Sequence, residues 1–370
     1  MKLTCNCADL SNAIAPVASV ATSIKANDMF GWITLKAENN TLDILGFNGE
    51  TFIESRIETP VTEDGAACVE AKTFFGYVKR LVEFGEVEFS TSAKGLVCKF
   101  AKNKSTIATR DKSGAEGFVV PTVETTFKVR MEELRKVILG TNYCVASSDT
   151  RMVLKSCCIT VQDDTLEAFC IDGVRIAHKT CNLTEPIANT IKLIVAAKCL
   201  TAVLNAFTNE EIVTIGANEH VVVFKSDKTT IALPLVDVQP FNIESQTKRM
   251  TARNIYAVDV KSLRGAVERA LILSGSLEGA KSLAVDFAKD ILTIGINNEK
   301  ADTMESVAVD TISALDENLR VFLNGDLLLD TLAHTKCDIV EFVVDSAVKP
   351  VIIRSQDNAN DFDLILPLRG

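Results

Sequence analysis

Three histidines, eleven cysteines and a few adjacent acid pairs are the residues of this chain that could do chemistry. His178, His220 and His334 are scattered, and none has a second ligand at metal-binding spacing. Cys5 and Cys7 would share one face of a strand, but no Cys-x-x-Cys pair completes a zinc site. Glu132-Glu133 and Asp163-Asp164 are adjacent, so their carboxylates point apart in a helix or strand. Asp163-Asp164 precedes a strand and reads as turn chemistry. Ser147-Ser148-Asp149 has no histidine nearby. Phosphate-loop, dinucleotide-turn, zinc-helix and nucleophile-elbow motifs are missing. The expectation is therefore no metal, no cofactor and no catalytic residues.

The composition constrains what these residues can belong to. At 370 residues with 47% hydrophobic and 24% charged side chains, the chain reads as globular, with two or three domains. A net charge of −10 argues, taken alone, against a general nucleic-acid binder. No run approaches 18 apolar residues, so no transmembrane helix and no membrane partner are expected. The N-terminus, Met1-Lys2-Leu3-Thr4-Cys5-Asn6-Cys7, lacks the apolar core of a signal peptide, so a cytoplasmic location is expected. The odd, irregularly spaced cysteines then read as small core residues, not a disulfide framework.

The elements that position everything repeat along the chain. Thr41–Gly49, Thr165–Gly173 and Ile291–Asn298 are each an alternating strand running into an Asn, Asp or Gly turn, the signature of a hairpin. Their starts lie 124 and 126 residues apart, which divides the chain into thirds. A finer repeat lies inside each third. Apolar residues four apart mark six helices: Leu10/Ile14, Phe74/Val78, Leu134/Ile138, Leu200/Leu204, Leu263/Val267 and Leu328/Leu332. Their first members recur every 60 to 66 residues. Val97–Phe100, Val222–Lys225 and Val351–Arg354 occupy matching strand positions in alternate units. The chain thus reads as six helix-plus-strands units paired into three α+β domains, 1–122, 123–246 and 247–370. The polar, proline-containing stretches 120–126 and 239–249 read as linkers.

At full length this pattern resembles the bacterial DNA sliding clamp, the beta subunit of DNA polymerase III, in a divergent form. The resemblance rests on the threefold repeat, the opening Met1-Lys2-Leu3-Thr4 followed by Leu10, and the hairpin Asp172-Gly173-Val174-Arg175-Ile176-Ala177. It also rests on Ile272-Leu273-Ser274 and on Leu366-Pro367-Leu368-Arg369. It implies three tandem clamp domains, each with two helices packed on antiparallel sheets, and a head-to-tail homodimer closed into a ring. Such a ring encircles duplex DNA without reading sequence and tethers the replicative polymerase. It is a processivity subunit, not an enzyme. The clamp loader and other proteins with clamp-binding motifs are the further partners. A repeat scaffold that binds proteins without encircling DNA is the alternative.

A sliding protein needs diffuse positive charge toward phosphates. The six helical windows sum to +3 inside a chain of −10. Lys72, Lys79 and Arg135 supply part of that charge. By matched position the resemblance adds Lys25, Ser148, Arg151 and Lys198 as DNA-facing residues. For partner peptides it implies a groove lined by Leu154, Ile171, Gly173, Val174, Arg175, Ile176, Phe241, Leu364, Ile365, Leu366, Pro367, Leu368 and Arg369. Apolar walls there would bury ligand side chains, and Arg175 and Arg369 would orient polar or acidic groups. The family's frequent histidine is Val174 here, its basic pair after the linker proline is Glu244-Ser245, followed by Gln246, and the chain closes on Gly370. For the ring interface it implies Ile272 and Leu273 packing near Ile107 of a second copy.

Overall fold

The computed structural model describes residues 1–21, 28–123, 125–243, 253–274, 281–297, 302–315 and 318–369. Among these residues six helices occur: α1 (Cys7–Val20), α2 (Ala71–Lys79), α3 (Met131–Thr141), α4 (Ala197–Ala206), α5 (Val260–Ser274) and α6 (Gly325–His334). Each falls on one of the six apolar pairs, and all twelve anchor residues are buried. The three domains of the repeat are thus each built from two helices on antiparallel sheets.

At four of the six helices the strand runs directly into the helix through a last strand residue that carries a side-chain acceptor. Asn6 accepts from the Ala8 and Asp9 amides, Glu70 from Lys72 and Thr73, and Asn324 from Asp326 and Leu327. Asp259 does the same for the Ser262 amide at 2.7 Å. These acceptors satisfy amides that the first helical turn leaves unpaired. The Asn6 cap also corrects one expectation. Cys5 lies on the strand Lys2–Asn6, but Cys7 already opens α1, so the two thiols do not share a strand face. All eleven cysteines are free, and ten are buried. Burial pushes the Cys5 thiol up to about 12 and those of Cys68 and Cys98 up to about 11, which suits core packing.

The chain forms two compact units. The first comprises 1–135, 183–187 and 198–236; the second comprises 136–182, 188–197 and 237–370. The first unit holds a five-stranded sheet in the order Val61–Glu63, Lys2–Asn6, Glu86–Ser92, Gly95–Phe100, Asn103–Ile107. Its eight-stranded sheet runs Thr125–Arg130, Ile212–Ala217, Val221–Lys225, Thr229–Pro234, Phe52–Glu58, Thr41–Phe47, Trp32–Glu38, Gly65–Glu70. The seam of that sheet pairs the middle third with the first: Thr229 faces Ser55, Ile231 faces Ile53 and Ala232 faces Phe52. Phe52 stacks on Phe118 with ring centroids 4.2 Å apart. Val120 and Val123, read as linker, pack on the same cluster, and Thr125 and Thr126 already belong to a strand.

The second unit repeats this device. Its nine-stranded sheet runs Ile191–Ala196, Ser156–Gln162, Thr165–Ile171, Arg175–Asn182, Phe362–Ile365, Val351–Ser355, Ile339–Val344, Asn254–Asp259, Asp310–Ser313. The seam joins the middle third to the last, with Arg175 facing Ile365 and His178 facing Phe362. A four-stranded sheet, Asp302–Ala308, Ile291–Asn297, Ser282–Ala288, Asn318–Asn324, completes it. The predicted hairpins form. Phe47 faces Phe52 and Ile171 faces Ile176, and the turn side chains Asn48 and Asp172 each accept two backbone amides. The turn of the third hairpin lies outside the described residues. At the Asp163-Asp164 turn, Asp163 adopts φ 55°, the turn role expected of it.

Because Phe52 sits on the seam strand and is fully buried, Phe52→Ala should cost about 3–5 kcal/mol. Urea unfolding should show a lower midpoint with an unchanged slope.

Candidate functional site

The partner-groove residues converge in the second unit. The hairpin Thr165–Ile171/Arg175–Asn182 lies beside the final strand, Phe362–Ile365. Leu154, Ile171, Ile176 and Leu364 are buried together with Cys158 and Phe169. Phe241 and Ile243 pack against them half-buried. Alternation splits the final strand, because Leu364 joins this cluster while Ile365 points into the core of the C-terminal domain. Around the cluster, apolar surface remains exposed at Met152, Val174 and Leu366. Pro367 and Leu368 are half-buried and Arg369 is exposed.

Backbone geometry fixes the groove wall. Gly173 adopts φ +102°, which a side chain would strain. The Leu366 amide donates to the Val174 carbonyl at 2.9 Å, and the Leu368 amide to the Phe322 carbonyl at 2.7 Å. The C-terminal segment is therefore stapled on both sides.

Arg175 differs from its expected role. Its side chain is 8% exposed. Nε donates to Asp172 Oδ2 at 2.8 Å, Nη1 to Asp330 Oδ2 at 2.6 Å, and Nη2 to the Tyr143 carbonyl at 3.2 Å. Burial alone would lower its pKa, but the carboxylates of Asp330 and Asp172 carry it above the ordinary arginine value. It is a buried cation paired with a carboxylate on each side. Arg369 keeps the exposed position expected of it.

The residues expected to face DNA divide into two groups. Lys72 and Lys79 are exposed on α2, seven residues apart and so on one face. Neither forms an ion pair with a described residue. Arg80, just past the helix, is exposed as well. Arg151, Lys198 and Arg135 are engaged within the chain. Arg151 grips Asp149 through Nε at 3.1 Å and Nη2 at 3.0 Å. That pairing holds the Asp149 carboxyl down to about 2, so the pair is fully ionised near neutrality. Lys198 Nζ lies 2.7 Å from Glu50 Oε2. Arg135 donates to the Leu204 carbonyl at 3.0 Å. Ser148 is exposed beside the Arg151 pair. Lys25 lies outside the described residues.

Of the interface residues, Ile272 and Leu273 near the end of α5 are 77% and 51% exposed, unusual for aliphatics on a helix. Ile107 is half-buried at the end of the edge strand Asn103–Ile107.

Sequence reading missed Met152, Val153, Cys158, Phe169 and Ile352 around the groove. Ile352 pairs directly with Leu364 across adjacent strands, a register that the strand pattern of the two segments could have supplied. It also missed Asp172, Asp330 and Tyr143 as partners of Arg175. The Asp172-Gly173 turn signal pointed to the first; nothing local points to the others.

Comparisons with known proteins agree with this geometry along the whole chain. The DNA polymerase III beta subunit N-terminal domain matches residues 1–113, the central domain 128–240 and the C-terminal domain 250–369. A beta sliding clamp of Haemophilus influenzae is 24% identical over 340 residues, covering 91% of each chain. One of Pseudomonas aeruginosa is 24% identical over 361 residues, covering 95% of each. Among solved structures, a sliding clamp of Pseudomonas aeruginosa bound to griselimycin superposes with a TM-score of 0.92 at 22% identity, covering 100% of each chain. A Bacillus subtilis sliding clamp gives 0.91 at 21% identity, covering 100% of this chain and 99% of that one. Three consecutive domain matches, in order and on the three structural repeats, leave one conclusion: this chain belongs to the bacterial DNA sliding clamp family, the beta subunit of DNA polymerase III.

Proposed function

We propose that two copies of this chain close head to tail into a ring of six domains that encircles duplex DNA and tethers the replicative polymerase. The domains are 1–122, 123–246 and 247–370. The clamp loader and other partners dock through short peptides in the groove of the second unit. The chain contributes no catalytic residue of its own and works in the cytoplasm as a processivity subunit.

One observation carries this reading. The first and last thirds each end a sheet on an edge strand with no further described strand beside it, Asn103–Ile107 in one and Asp302–Ala308 in the other. The opposite edge of the last sheet is covered, since Leu368 bonds to Phe322 on the strand Asn318–Asn324. Exposed edges invite pairing with another chain. The charges differ in sign, with Lys104 on one edge and Asp302 on the other, where Glu305 is already paired with Arg269. Exposed Met304, Ile272 and Leu273 would add apolar area beside the second edge, with Ile107 receiving them from the first. Ile272→Ala combined with Leu273→Ala should convert the dimer to monomers by light scattering. A persistent dimer would move the interface elsewhere.

Contact with DNA should be light and led by α2. Lys72→Ala with Lys79→Ala should reduce the salt slope of residence on closed circular DNA by about 2. Arg151→Ala with Lys198→Ala should reduce it by less than about 1, because Asp149 and Glu50 already neutralise those cations. Equal slopes for the two pairs would remove α2 from its leading role.

Deleting residues 366–370 removes Leu366 and the stapled segment from the groove wall. Polymerase stimulation should be lost while the solution mass stays that of a dimer. Stimulation that survives the deletion places the groove elsewhere.

A further inference from the structure

The strongest unexplained feature is the part-buried network under the groove wall. Asp172 closes the hairpin turn with one oxygen, accepting from the Val174 and Arg175 amides at 3.0 Å each. Its other oxygen takes Arg175 Nε. On the far side, Asp330 of α6 takes Arg175 Nη1 at 2.6 Å. His334, one turn along α6, meets the Asp330 carbonyl at 2.9 Å through Nδ1. Its ring stacks on Tyr143, with centroids 4.0 Å apart and planes 3° apart. Tyr143 returns to Arg175 twice, accepting Nη2 through its carbonyl and lying 5.1 Å beneath the guanidinium. Its hydroxyl donates to Asp363, which also receives Lys179 Nζ at 2.9 Å. Residues of the middle and last thirds alternate around this circuit.

We propose that Arg175 is a positioning residue, a tie between the Asp172 turn and α6 that sets the Val174–Leu366 wall and offers no charge to the bound peptide. This rests on the groove reading given above. The geometry leaves little choice. A guanidinium 8% exposed, with a carboxylate on each side, has its charge already matched. One cation between two carboxylates leaves −1 at the tie itself, so the tie supplies no attraction for an acidic side chain entering beside Val174. Through the tie, an acidic peptide side chain gains no advantage over an uncharged one at that wall. Val174 supports this directly. It is 48% exposed above the tie and presents an apolar surface there.

The test uses the full-length protein and two labelled probes. One is an apolar pentapeptide of leucine and phenylalanine carrying a single aspartate; the other is its asparagine twin. Wild type should bind the asparagine peptide at least as tightly as the aspartate peptide. Asp330→Asn removes one carboxylate and leaves Arg175 partly uncompensated, so the ratio should move toward the aspartate peptide by about threefold. A purely structural role would weaken both peptides together and leave the ratio fixed. A wild type that prefers aspartate several-fold, with Arg175→Met abolishing that preference, would make Arg175 a direct ligand contact and overturn the proposal. If neither peptide binds wild type, the groove reading fails, and thermal unfolding then decides the tie alone. Arg175→Met should lower the melting temperature by several degrees, and adding Asp330→Asn should lower it little further. Fully additive losses would overturn the tie.

Discussion

The structure depends on sheet pairing across the boundaries of its own repeats. A helix-plus-strands unit buries one face of its sheet but leaves strand edges unsatisfied. Thr229–Ala232 closes one such edge against Phe52–Ser55, and Arg175–His178 closes another against Phe362–Ile365. Each seam replaces solvent-bonded amides with paired ones, for about 0.5–1.5 kcal/mol net per bond. Its larger effect is to continue the apolar layer beneath it, where Phe52 and Ile365 lie fully buried. The middle third is thereby shared out between its neighbours. The two compact units divide inside it and not between domains.

The same logic governs charge. A chain of −10 that works around DNA cannot rely on tight binding. Pairing lowers the free positive charge further: Arg151 is spent on Asp149, Lys198 on Glu50, Arg264 on Glu268 and Arg269 on Glu305. What remains on α2 is suited to loose, sequence-independent phosphate contact. In the proposed ring, retention comes from topology, so weak contact costs no residence and permits sliding. The proposed peptide groove follows the opposite principle. There a fixed, apolar and pre-organised wall favours affinity, since little has to be ordered on binding.

How much of this was legible in the sequence depends on the range of each signal. The helix anchors obey a local period, so Leu10/Ile14 through Leu328/Leu332 were found and all are buried. The Asp172-Gly173 turn was legible because its chemistry is confined to four residues. Ion pairs were not. Arg175 and Asp330 are 155 residues apart, and Lys198 and Glu50 are 148 apart. A cation alone in sequence looks available, and only the fold reveals the carboxylate that occupies it. Cys7 was misplaced for the reverse reason, since the Asn6 cap ends the strand one residue earlier than alternation suggests. Most of the groove residues came from the family resemblance, because buried strand positions do not by themselves indicate which face meets a ligand.

The central claim is enclosure without tight contact. Its most direct test is gel-filtration co-elution of the loaded protein with nicked circular plasmid, before and after a single cut that linearises it. The account predicts stable retention on the circle at salt that abolishes ordinary phosphate binding, and loss on cutting. Equal retention on circular and linear DNA would contradict it.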